Sequence, residues 1–174
     1  MIHARYFSRY PFTLVFFLLC TNSVNAGDWD ITPMLAVGGG YSDNVFLEPS
    51  GEGDWIGEIT PGIILDGEGG RISAYLDYQM QNIFYLDNND FNDTFHQLRS
   101  GANAELSKDL LFLDASANAG QTIINPFRPS SGGNRNINAN RANIFNYSVS
   151  PYIQSHLGGY ADANLRYRYS EVLY

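Results

Sequence analysis

The sequence predicts an all-β protein: an antiparallel up-and-down transmembrane β-barrel of which about seven strands are present. Three observations predict it. Apolar and polar residues alternate with period two through most of the chain beyond residue 26. The links between alternating segments are long and short in turn, the parity of outer-membrane barrels with long outer loops and short periplasmic turns. No stretch after Ala26 is apolar enough for a membrane-spanning helix, so a membrane would be crossed by strands.

The elements follow in order. Arg5 and Arg9 form a short basic region, residues 12–20 (FTLVFFLLC) an apolar run, and Val24, Asn25 and Ala26 a small-residue cleavage site. That is the pattern of a secretory signal peptide. The nine residues of the run are too few to cross a bilayer as a helix, which takes roughly twenty. The expected organisation is therefore residues 1–26 as signal peptide and residues 27–174 as one barrel domain. Lipidation at Cys20 is disfavoured by the bulk of Leu19. Removing the signal takes away the one cysteine and two arginines but none of the 18 acidic residues. No disulfide, thiol nucleophile or thiolate ligand remains, and so acidic a chain is a poor match for nucleic acid.

Residues 31–41 and 55–65 are the first two strands, weakened by glycines. Residues 71–85 give the clearest signal. Ile72, Ala74, Leu76, Tyr78, Met80 and Phe84 share one face, and Arg71, Ser73, Asp77, Gln79 and Gln81 the other. Residues 96–106 set Leu98, Ala102, Ala104 and Leu106 against Gln97, Arg99, Asn103 and Glu105. Residues 110–122 set Leu111, Leu113 and three alanines against Asp114, Ser116, Asn118 and Thr122. Residues 143–157 and 160–171 repeat the alternation, the latter with Arg166 and Arg168 on its polar face. The links run 42–54, 66–70, 86–94, 107–109, 123–142 and 158–159, long and short by turns.

A soluble β-sandwich or lipocalin-like barrel also alternates, with its apolar face inward. Link parity and the charges on the polar face favour the membrane barrel. So do aromatics near strand ends (Tyr41, Trp55, Phe84, Tyr85, Phe95, Phe112, Tyr160 and Tyr174), where interfacial girdles sit. Seven is an odd count, and bacterial single-chain barrels close with an even one. The expectation is the N-terminal portion of a longer barrel; an eight-stranded barrel with one strand miscounted is the alternative.

Short motifs then carry a family resemblance. Trp29-Asp30-Ile31-Thr32-Pro33, Tyr41-Ser42-Asp43-Asn44-Val45, Thr60-Pro61-Gly62, Leu76-Asp77-Tyr78 and the run from Tyr147 to Tyr152 (YSVSPY) occur in order over nearly the whole mature chain. Together they resemble an outer-membrane protein family associated with the PEP-CTERM/exosortase system. The resemblance implies a longer barrel, and a setting in exopolysaccharide export or surface sorting. It implies no reaction and no catalytic residues.

The search for chemistry yields no catalytic, cofactor-binding or metal-binding set, and the expectation is that the chain is not an enzyme. His96 and His156 have no zinc-type spacing, no serine lies in a G-x-S-x-G elbow, and Gly38-Gly39-Gly40 lacks the phosphate-loop pattern. The link bearing Asp87, Asp90 and Asp93 offers oxygens suited to calcium or a saccharide, but fails the EF-hand pattern. A solvated extracellular loop is the plainer reading. The basic stretch with Arg128, Arg135 and Arg141 reads first as a flexible loop; the alternative is that the arginines fold inward as a constriction or meet an acidic polysaccharide or lipopolysaccharide phosphate.

Two function classes stay open. One is porin-like passage through a lumen lined by Asp77, Gln79, Arg99, Glu105, Asp114, Arg166 and Arg168. The other is a non-conducting structural or interaction barrel, which complementary lumen charges paired across the bore would favour. Expected partners are outer-membrane lipid and envelope polysaccharide or other envelope proteins, not nucleic acid. The expected location is the bacterial outer membrane.

Overall fold

A computed structural model describes residues 27–128, 133–137 and 140–174, so the signal peptide region lies outside the described residues. The chain is an antiparallel meander with almost no helix. Its strands are β1 (Gly27–Ser42), β2 (Asp54–Gly69), β3 (Ile72–Tyr85), β4 (Asp93–Ser107), β5 (Leu111–Ile123), β6 (Arg141–Leu157), β7 (Ala161–Arg166) and β8 (Tyr169–Leu173). Each of β1 to β6 pairs with the next, and both β7 and β8 pair with β6.

β7 and β8 are two halves of one ribbon, because both keep a single register against β6: Tyr152 opposes Arg166 and Val149 opposes Tyr169. Pro151 explains the break between them. It has no N–H to give the ladder, so the Tyr167 carbonyl accepts instead from the buried Ser150 hydroxyl at 3.0 Å. The Tyr167 N–H still reaches the Pro151 carbonyl. The seven alternating segments of the sequence are thus eight strands in hydrogen-bonding terms and seven ribbons in space.

Two strand limits differ from expectation for one reason. The link expected at residues 66–70 is mostly strand, since Asp66, Gly67, Glu68 and Gly69 pair with Asp30, Trp29, Asp28 and Gly27. Acidic residues and glycines hide this from a periodicity reading, and only the partner strand reveals it. Long links (β1–β2, β3–β4, β5–β6) gather at one end of the sheet and short ones (β2–β3, β4–β5, β6–β7) at the other. The sheet is not closed: β1 pairs only with β2, and the β7–β8 ribbon only with β6.

Register assigns the two faces. One carries Ile31, Leu35, Val37, Ile59, Ile72, Val149, Ile153 and Leu165, all exposed, up to 73% for Val37 and Leu165. The other carries most of the polar residues, with Ile64, Tyr75 and Val172 among them, while Asn82, His96 and Glu171 fall on the apolar face by register. The only buried apolar cluster of the described residues also lies toward the polar side, at the long-loop end. It joins Val45, Ile56, Ile83 and Tyr85, with Phe46, Phe95 and Ile137 packed against it. The core of a soluble sheet would cover the other face.

Tyr85 and Phe95, expected in an interfacial girdle, therefore belong to this inner cluster. Phe112 also turns inward, stacking on Tyr152 at 5.1 Å. Strand-end position alone cannot separate the faces; parity of register does. Trp29, at the end of the sheet opposite Trp55, shares the apolar face with Tyr41, Trp55 and Phe84.

Candidate functional site

The candidate site is the polar face and the loop lying over it. On β3 and β4, Asp77 stands opposite Arg99, and Gln79 opposite Gln97. On β5, Asp114 accepts from Asn103 and pairs with Arg166 of β7, whose guanidinium lies 4.0 Å from the centre of the Tyr152 ring. These predicted lumen residues share a face because their strands are in antiparallel register, where direct partners project to the same side.

Glu105 is on that face too but is engaged in the β4–β5 turn, where its carboxylate accepts the Asp109 backbone N–H at 2.6 Å. Asp109 takes a left-handed backbone there, with φ of 55°. Arg168 lies between β7 and β8. Asp77 and Arg99 form no ion pair, whereas Arg166–Asp114 and Arg135–Glu58 do.

Residues 133–137 of the β5–β6 loop fold inward over the long-loop end of the face. Asn134 is buried, and its amide N–H groups donate to Gln81 at 2.8 Å and Gln121 at 3.2 Å. Its carbonyl accepts from Arg141 at 2.9 Å. Arg135 meets the Glu58 carboxylate at 2.8 Å, and Glu58 also accepts from Gln81 and Thr60. The Ile137 N–H donates to the Val45 carbonyl, tying this loop to the β1–β2 loop. Arg135 and Arg141 are therefore held inward, and Arg128 is exposed in a turn begun by Asn125. Residues 129–132 and 138–139 of this basic stretch lie outside the described residues.

The loop with Asp87, Asp90 and Asp93 is organised from elsewhere. Asp54, 1% exposed, accepts the backbone N–H groups of Leu86 at 3.2 Å and of Asp87 and Asn88 at 3.0 Å, and the Asn88 side-chain amide at 3.1 Å. Asp90 sits in a short 3-10 turn (Asn89–Phe91), and Asp93 starts β4 and caps Thr94. Among the described residues no group of three His, Cys, Asp or Glu side chains is placed to hold a metal ion.

Sequence reasoning missed Asp54 and Asn134, whose partners lie 33 and 53 positions away. The aspartate before Trp55, on the inward parity of β2, was the one available signal. His96 stacks on Tyr78 with its Nδ1 2.8 Å from the tyrosine oxygen, and His156 contacts Asp162 beside the last short turn.

Beside Gly133 and Asn134 the polar face forms an open cavity of about 610 Å³. Asp77, Gln79, Gln97 and Arg99 form one wall, Gln121 and Asn134 another. Compared with protein-family models, curated proteins and solved structures, the chain finds no match.

Proposed function

We propose that this chain is the N-terminal part of a bacterial outer-membrane β-barrel, exported by a signal peptide spanning residues 1–26 and cut after Ala26. One observation carries the reading: the sheet's amphipathicity is the reverse of a soluble protein's. Its large apolar side chains are exposed on one face, while loop, ion pairs and amide networks lie on the other. A largely apolar, uncovered face is costly in water and suited to lipid.

The tryptophans support the same reading. Trp29 and Trp55 both take the apolar face, twelve positions apart along the β1–β2 ladder. At a rise of ~3.3 Å and a tilt of ~40° that spans roughly 30 Å, the thickness of a hydrocarbon core. The apolar face would meet outer-membrane lipid. Envelope polysaccharide or other envelope proteins would meet the long loops, in the setting that the PEP-CTERM/exosortase resemblance implies.

Two uses of the interior follow from different observations. The open Asp77 and Arg99 beside a cavity favour porin-like passage of solute. The closed pairs Arg166–Asp114 and Arg135–Glu58 favour a non-conducting interaction barrel.

The deciding experiment expresses the full open reading frame with its signal and compares gel migration of the outer-membrane fraction with and without boiling. A heat-dependent shift in that fraction is expected, and single-channel conductance then separates pore from plug. A soluble periplasmic protein with no shift would sink the membrane reading in favour of a secreted β-sandwich or lipocalin-like binder.

A further inference from the structure

We propose that the cavity beneath the β5–β6 loop binds a neutral, polyhydroxylated ligand of oligosaccharide type, held by Asp77, Gln97 and Arg99. The inference rests on the reading above, in which the polar face looks into an interior.

The cavity's size falls within the range of small-molecule sites, roughly 300–1,000 Å³. Its lining is dominated by amides: Gln79, Gln81, Gln97, Gln121 and Asn134. An amide presents both donor and acceptor, as does each hydroxyl of a sugar. Gln81, Asn134 and Gln121 are already bonded to one another and form a fixed wall. Gln97 and Arg99 make no side-chain hydrogen bond within the described residues, and Asp77 accepts only a long one from Gln79, at 3.3 Å. Those three keep capacity for a ligand.

Charge selects against the alternatives. A cation would meet Arg99 and Arg141, an anion reaching Arg99 would have to lie beside the Asp77 carboxylate opposite it, and an apolar ligand would strip water from all of them without return. A neutral polyol satisfies both signs at once, donating hydroxyls to Asp77 and accepting from Arg99. A second cavity of about 620 Å³ shares Gln121, Asn134 and Arg141 and is walled by Phe46, Tyr85, Phe91 and Phe95. Amide edges beside aromatic faces suit a sugar, whose ring has a hydroxyl rim and apolar C–H faces.

Gly120 supplies the decisive variant. It lines the first cavity, and a Cβ added there would have no atom within 4 Å. The Cβ of Gly120→Leu therefore meets no neighbouring atom, and its isobutyl group takes up part of the cavity.

The test titrates the detergent-extracted full-length protein by calorimetry with maltohexaose, cellohexaose and mannohexaose, and with hexagalacturonate and a chitosan hexamer. At least one neutral hexasaccharide is expected to bind with Kd on the order of 1 mM or tighter. Gly120→Leu and Arg99→Ala should each weaken it tenfold or more while keeping the heat-dependent gel shift. Wild-type protein that keeps the shift but binds no neutral hexasaccharide overturns the proposal, as does unchanged binding in Gly120→Leu. Binding of hexagalacturonate alone overturns it too, leaving an anion site at the arginines. Loss of the gel shift in wild type fails the barrel reading instead, and neutral-sugar binding abolished by Gly120→Leu would still support the cavity's role.

Discussion

Asp54 illustrates how one inward-facing carboxylate organises a segment thirty residues away. It gathers three backbone N–H groups and a side-chain amide from the β3–β4 loop while almost wholly buried. Charged acceptors give the stronger hydrogen bonds, and donors left without one cost free energy. Asp54→Ala should therefore destabilise the folded protein by about 2 kcal/mol, and Asp54→Asn by less, since one acceptor oxygen stays. Urea titration of the two variants would check this, and equal losses would contradict the hydrogen-bond account. Alternating polarity told little about Asp54, because it predicts which face a side chain takes and not what it meets there. The lumen residues Asp77, Gln79, Arg99 and Asp114 were legible for the same reason: their face follows from parity alone. That Asp114 would be paired and Asp77 left open was not, since pairing depends on which strand lies alongside.

At the scale of elements, β1 offers a test in two adjacent residues. Leu35 points to the exposed apolar face and Ala36 to the polar one, midway between the levels of Trp29 and Trp55. If lipid covers the first face, Leu35→Arg should cost roughly 2–4 kcal/mol of folding stability in phospholipid vesicles, the penalty of a cation at the bilayer midplane. Ala36→Arg should cost far less. In a water-exposed sheet Leu35→Arg would cost little, as surface substitutions usually do. The β5–β6 loop gives a second test. Arg135 is half exposed, so its pair with Glu58 contributes only about 1 kcal/mol. Arg135→Ala should speed hydrogen exchange at the Ile137 amide roughly fivefold, the kinetic equivalent of that energy. No change would mean that Asn134 and the Val45 carbonyl hold the loop by themselves. Composition left this loop open between flexible and inward-folded readings, because Gly, Asn and Ser are common to both. The described residues 133–137 fold inward, on contacts with β2, β3 and β5.

For the molecule as a whole, the reversed distribution of apolar surface ties sequence to proposed location. With both tryptophans on the apolar face at its two ends, brominated lipids should quench their fluorescence most strongly when bromine sits near the acyl-chain ends closest to the headgroups. Bromine at the bilayer centre should quench weakly. Strong quenching only at the centre would contradict the two-girdle arrangement, and no quenching would place both residues in water. Mature protein from the envelope should begin at Gly27 by N-terminal sequencing; a start before residue 12 would show an uncut leader. Neither test depends on how the open edges of β1 and the β7–β8 ribbon are met.

The sequence by itself determined the strand class, the meander, the end at which the long loops gather and the two faces of nearly every strand. Each of these follows from period-two alternation and link length, which are local properties. Only the tertiary structure decided that residues 66–69 are strand, that Pro151 splits the last ribbon, and that Tyr85, Phe95 and Phe112 turn inward. The same holds for the cavity, the open Asp77–Arg99 pair and the roles of Asp54 and Asn134. All of these depend on partners distant in the chain, whose position is fixed by cross-strand register and by loop folding, and no local pattern encodes them.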